Sequence, residues 1–168
     1  MSQGGRGAET EGTLERPARR YQGPFGPIEI ALGEKLRVTR VWGPEVPTVT
    51  LPWGPAWAED IAARRVLREG VRCHVDAEEW VFRQPTFGFW RSRRSIYVAS
   101  PRRRWVARLR SFATRSIERE EDGAWVARFS LARGGEVAPA ADRDDALLTA
   151  LLFGSQLIHH AELGFAPF

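Results

Sequence analysis

The sequence predicts a mainly β chain with a long C-terminal helix, an α+β class in which a strongly bent antiparallel sheet or barrel holds the helix. Three observations predict it. The stretch Asp144–Leu163, DDALLTALLFGSQLIHHAEL, reads as the one long helix, and its first half is apolar almost all the way round. A helix so apolar needs protein on most sides. From Val71 onward, short segments alternate apolar and polar residues, which is the period of half-buried strands. Turn chemistry separates them: Ser100-Pro101-Arg102-Arg103 has Pro where a type I turn wants it, and Glu121-Asp122-Gly123 suits a tight reversal.

A length of 168 residues predicts one domain, and 43% hydrophobic residues suffice for its core. Residues 1–20 are polar, Gly-rich and charged. They read as a disordered tail, and residues 21–168 as a single β-rich domain. Ile28–Leu32 and Leu36–Trp42 read as strands around Gly33-Glu34, with Arg37, Thr39 and Val41 on one face of the second. Trp42-Gly43-Pro44 recurs as Trp53-Gly54-Pro55, two ring-covered corners flanking a short strand at Thr48–Leu51. A ligand-stacking role for these tryptophans is the competing reading. Ala56–Glu69 reads as a helix capped by Gly70, with Trp57, Ile61 and Val66 as its buried stripe. A hairpin of Arg65–Arg68 with Val71–Val75 competes with it.

The β region then divides into Val71–Val75, Trp80–Gln84, Phe87–Arg91, Ser95–Ala99, Arg104–Phe112, Ser116–Arg119 and Ala124–Leu131. WVARL at Trp105 and WVARF at Trp125 form an echo that predicts two strands turning Trp, Ala and the large apolar residue to one core. Ala132–Asp142 reads as a loop. Asp142 or Asp144 caps the final helix, and Gly164 suits its exit.

Catalytic and metal signatures are missing from the sequence, so no catalytic residue, metal ligand or cofactor is expected. HExxH, CxxC, EF-hand, P-loop and Rossmann patterns do not occur. His159 and His160 point about 100° apart on a helix, a poor ligand pair. Cys73 and His74 fall on opposite faces of a strand, and a lone cysteine excludes an intrachain disulfide. With no apolar leader and no run of about 18 apolar residues, a cytoplasmic location is expected. Arg outnumbers Lys 24 to 1, a bias that a GC-rich, bacterial genome explains.

The charge is local, however. Residues 91–115 hold nine arginines and no acid, whereas the whole chain carries +4, leaving 4 − 9 = −5 for the rest. Arg104, Arg108 and Arg110 share one face of a strand. Arg91, Arg93, Arg94, Arg102 and Arg103 sit in or beside adjoining turns. Guanidinium forks match phosphate and carboxylate. Trp90, with Phe87 and Phe89, is placed to stack on a base or enter a lipid interface. These arginines and Trp90 are the candidate ligand-binding residues. The competing reading is a solvated face neutralised by Glu118, Glu120, Glu121 and Asp122.

The strand run followed by DDALLTALLFGSQLIHHAEL resembles, across residues 25–163, the tubby-like barrel shared with phospholipid scramblases. That resemblance implies lipid or phosphoinositide association. The same element order also looks like the helix-grip (START-like) fold, which implies a cavity for an apolar small molecule between sheet and helix. It looks, too, like a pleckstrin-homology-like barrel. The expected function is a non-enzymatic binding module for an anionic lipid surface or a nucleic acid, with peripheral membrane association. The alternatives are a small-molecule binder or enzyme with an internal pocket, and an interaction domain with no ligand.

Overall fold

The structure is a computed structural model that describes residues 19–33, 35–85, 95–111, 114–130 and 134–160. Two antiparallel meanders make up the fold. The first contains β1 (Arg19–Gly23), β2 (Gly26–Gly33), β3 (Val38–Trp42) and β4 (Val49–Leu51), in that order across the sheet. The second contains β5 (Val71–Val75), β6 (Glu78–Arg83), β7 (Ile96–Ala99), β8 (Arg104–Ser111), β9 (Thr114–Arg119), β10 (Trp125–Ser130) and β11 (Gly134–Val137), again in sequence order. Among the described residues no strand pairing joins the two sheets, and no closed barrel is found.

Between β4 and β5 the chain makes a 3-10 turn, Pro55–Glu59, and then α1 (Ala63–Glu69). The sequence predicts one helix here, and Asp60 breaks it. Its carboxylate accepts the Ala62 N–H at 2.8 Å and an Arg37 N–H at 2.7 Å, offering the backbone a local alternative to helix. Ile61, expected in the buried stripe, is fully exposed; Ala63 and Leu67 are buried instead. Gly70 ends α1 with φ 107°, and its N–H bonds to the Val66 carbonyl.

The C-terminal helix is shorter than its sequence suggests. α2 spans Arg143–Gly154, and α3 is the separate turn Leu157–His160. The break has a local cause. Ser155 Oγ donates to the Leu151 carbonyl at 2.6 Å and accepts the Leu157 N–H, while Gln156 takes a left-handed φ of 58°. Asp142 is the N-cap, forming a reciprocal capping box with Asp145.

α2 is buried on every side. Ala146, Leu147, Leu148, Thr149, Ala150, Leu151, Leu152 and Gly154 are all in the interior. Full burial stabilises each leucine by about 1.5–3 kcal/mol. Packing is tight at Gly154, where a Cβ would lie 2.7 Å from Ile30 Cγ2 in β2. Trp53, Trp80, Trp105 and Phe82 complete the core. Trp53 stacks on Trp57 at 5.3 Å between ring centres and is fully buried, so the second Trp-Gly-Pro corner is a packing device.

Three further expectations need correction. β1 starts at Arg19, two residues inside the stretch read as tail, because Arg19 and Arg20 pair with Ile30 and Glu29. β11 occupies part of the expected loop 132–142, pairing with β10 through residues that carry little β propensity of their own. The WVAR echo holds for Ala127 and Phe129, which turn inward as Ala107 and Leu109 do, and fails at Trp125. A bulge between Trp125 and Ala127 shifts the β10 register, so Trp125 pairs with Glu118 on the outer face while Trp105 is buried on the inner one. The expected strand Phe87–Arg91 lies outside the described residues.

Candidate functional site

Strand alternation in β8 places Trp105, Ala107 and Leu109 toward the core and Arg104, Val106, Arg108 and Arg110 on the outer face. The register extends that face across two neighbours. Arg108 lies opposite Ser116 in β9, and Ser116 lies opposite Arg128 in β10. Val106 lies opposite Glu118, which in turn faces Trp125. Arg128 packs its guanidinium over the Trp125 ring, 4.4 Å from the centre. Four arginines therefore share this face with one indole.

The electrostatics turn on Glu118. Its carboxylate accepts hydrogen bonds from Arg110 and, at 2.8 Å, from the Ser116 hydroxyl, and lies 3.6 Å from Arg108 Nε. Burial pushes the Glu118 pKa up, but the bonds from Arg110 and Ser116 outweigh it, so the group lies below its ordinary value. One carboxylate is thus shared by two guanidiniums. Arg104 is exposed and forms no ion pair with any described residue. It borders an open groove of about 520 Å³ formed by the Ser100–Arg103 turn with Glu120 and Glu121. Glu120 beside Arg104, and Glu136 opposite Arg128 in β11, limit the positive field.

The other predicted site residues divide into two groups. Arg102 turns to Glu78 at 2.7 Å and to Asp144 at 3.7 Å. Arg103 turns to the N-terminus of α2, reaching Asp142 at 2.6 Å, Asp145 at 3.3 Å and Glu121 at 3.2 Å. Burial lowers the Arg103 pKa and the Asp142 hydrogen bond raises it, with a net rise. Arg103 is a clamp on the helix end. Arg91, Arg93, Arg94 and Trp90, with Phe87 and Phe89, lie outside the described residues.

Glu118 and Glu121 act as the neutralising acids the sequence suggests. Glu78, Asp142, Asp144 and Asp145 join them only because the fold brings them there. Sequence reasoning misses Arg128 and Trp125 as members of the face. Arg128 has a readable signal, since it occupies in WVARF the place of Arg108 in WVARL. Trp125 has none, because only the bulge turns it outward.

No other chemistry gathers nearby. Cys73 is buried, and burial, followed by the charge of Glu79, pushes its thiol up to about 12. His74 is on the opposite, exposed side of β5. Among the described residues no group of His, Cys, Asp and Glu is arranged to hold a metal ion, and no helix is long and apolar enough to cross a membrane. The side chains of His159 and His160 lie outside the described part. Comparison with protein-family models, curated proteins and solved structures finds no match.

Proposed function

We propose that this protein is a non-enzymatic binding module for a phosphate-bearing anionic partner, held on the outer face of β8, β9 and β10. The observation that carries the reading is the sharing of Glu118 by Arg108 and Arg110, with Arg104 and Arg128 added on the same face. Guanidiniums in a row meet phosphates by charge and by paired N–H donors. Trp125 adds an aromatic surface beside them. As a finer reading of the fold, the two sheets around a buried α2 are an open relative of the tubby-like barrel, with the partner met from the cytoplasm and peripherally.

Lipid and nucleic acid share the phosphate, and the experiment separates them. Vesicles containing phosphatidylserine and a single-stranded oligonucleotide are titrated at about 50 and 200 mM salt, where released counterions make affinity fall. Arg104→Gln with Arg128→Gln should weaken binding and lower the salt slope by about one unit for each phosphate that is no longer neutralised. That pair leaves Glu118 its partners. Binding to vesicles alone assigns lipid, and binding to the oligonucleotide alone assigns nucleic acid. No binding at low salt, or an unchanged slope in the double variant, overturns the proposal.

A further inference from the structure

β1 and β11 are the outer edges of their two sheets, and they do not pair with each other among the described residues. Between them lies a cavity of about 370 Å³ that reaches α2. Its walls are Tyr21 from β1, Phe129 from β10 and Val137 from β11, with Thr149 and Phe153 of α2 beneath. The Phe129 and Phe153 rings are 5.3 Å apart and tilted at 45°. The space exists for a sequence reason. Gly135 stands opposite Phe129 in the β10–β11 register, and it presents no side chain to the inner face.

Three charged side chains border the cavity, Arg19, Arg128 and Glu136. Arg19 pairs with Ile30 in the β1–β2 register and Tyr21 with Ile28, so both belong to the face of β1 that meets the core. Arg19 lines the cavity and forms no ion pair with any described residue. Arg128 and Glu136 also border it, but they alternate to the opposite face, and Arg128 is engaged by Trp125. Ligand sites are commonly about 300–1,000 Å³, mostly apolar, with few polar groups that fix orientation. This cavity has that size and a mainly apolar lining, and Arg19 is the guanidinium that borders it from the core-side face of its strand.

We propose that the β1–β11 seam binds a small amphiphile with an apolar body and a carboxylate head. The body lies over Phe129 and Phe153, and the carboxylate meets Arg19 at the mouth. This site meets the outer arginine face only at Arg128; Arg104, Arg108 and Arg110 do not line it. A carboxylate gains a charge-assisted, forked hydrogen bond from Arg19 that an alcohol of the same length cannot match.

The test uses the full chain, with 1-anilinonaphthalene-8-sulfonate as a fluorescent anionic probe and decanoate and decanol as competitors. A bound probe displaced by decanoate is expected. Arg19→Gln should weaken decanoate about tenfold, the effect of removing one charge-assisted hydrogen bond, and leave decanol unchanged. Gly135→Leu should fill the cavity and abolish displaceable binding. A Cβ there meets only Phe129 Cδ2 at 3.7 Å, an ordinary contact, so the variant should melt as the parent does. The Arg104→Gln variant, whose residue does not line the cavity, should bind the probe normally, which keeps this result distinct from the outer face. Probe that decanoate does not displace, or displacement that survives in a natively melting Gly135→Leu protein, overturns the proposal.

Discussion

Trp105 donates its indole N–H to Asp145 across 2.8 Å, joining β8 to the first turn of α2. Asp145 is 0% exposed, yet four groups satisfy it. Besides Trp105, Arg119 and Arg103 reach its oxygens, and the Asp142 N–H closes the capping box. The same acid therefore caps the helix, answers its positive end and pairs with Arg119 of β9 and Arg103 of the turn before β8. With the ion pairs of Asp142 and Asp144, this orients a helix whose remaining contacts are mostly apolar and non-directional.

Asp145→Ala should accordingly be far more damaging than a surface change. It leaves the Trp105 N–H without its acceptor and takes from Arg119 and Arg103 the buried carboxylate they share, with Asp142 as the acid that remains near both. Breaking a buried pair from one side costs about 3–5 kcal/mol. Urea titration followed by tryptophan fluorescence measures it. A loss below about 1 kcal/mol, the scale of an exposed pair, would mean that the network is ornamental to stability.

Leu151 tests the enclosure of α2. It is fully buried, and its carbonyl also receives the Ser155 hydroxyl. Leu151→Ala should cost about 2–5 kcal/mol through reduced burial and a cavity. Leu151→Asp should prevent folding, since an unpaired charge would enter the core. Soluble Leu151→Asp protein with parental melting would place the helix at the periphery.

Acid should destabilise the protein in a defined direction. Burial raises and hydrogen bonding lowers the pKa of both Glu118 and Asp142, and each lies below its ordinary value in the fold. A depressed folded pKa contributes stability that is present above the unfolded value, about 4 for these groups. That contribution is lost as pH falls through the folded pKa. Melting temperature should therefore hold near neutrality and decline from about pH 5 downward. Glu118→Gln and Asp142→Asn should each flatten the decline. A profile unchanged in both variants would show that neither group couples to folding.

The chain boundary gives a sharper test than composition alone. Residues 1–18 contain little apolar surface to bury, so their removal should leave the melting temperature within about 1 °C. Extending the cut through Gln22 removes the β1 pairing with β2 and the Arg20–Glu29 ion pair. That longer deletion should lower the melting temperature by several degrees, and it should also destroy the seam cavity. Equal melting of the two truncations would mean that β1 adds nothing to the fold.

What the sequence determined by itself was local. Period-two patterning put Arg104, Arg108 and Arg110 on one face, and Asp142 followed by apolar residues marked the start of α2. Turn residues at Ser100–Arg103 and Glu121–Gly123 located two reversals correctly. Such signals act within a few residues, where backbone sterics and single side chains decide. The tertiary structure decided everything that needs partners distant in the chain. It gave Arg103 to Asp142 and Asp145, about 40 residues away, and left Arg104 unpaired among the described residues. It turned Trp125 outward through a bulge that no periodicity announces, and made strands of Arg19–Gly23 and Gly134–Val137 by pairing them with stronger neighbours. Charge balance and strand edges are properties of a completed register, and a register is set by contacts across the whole chain.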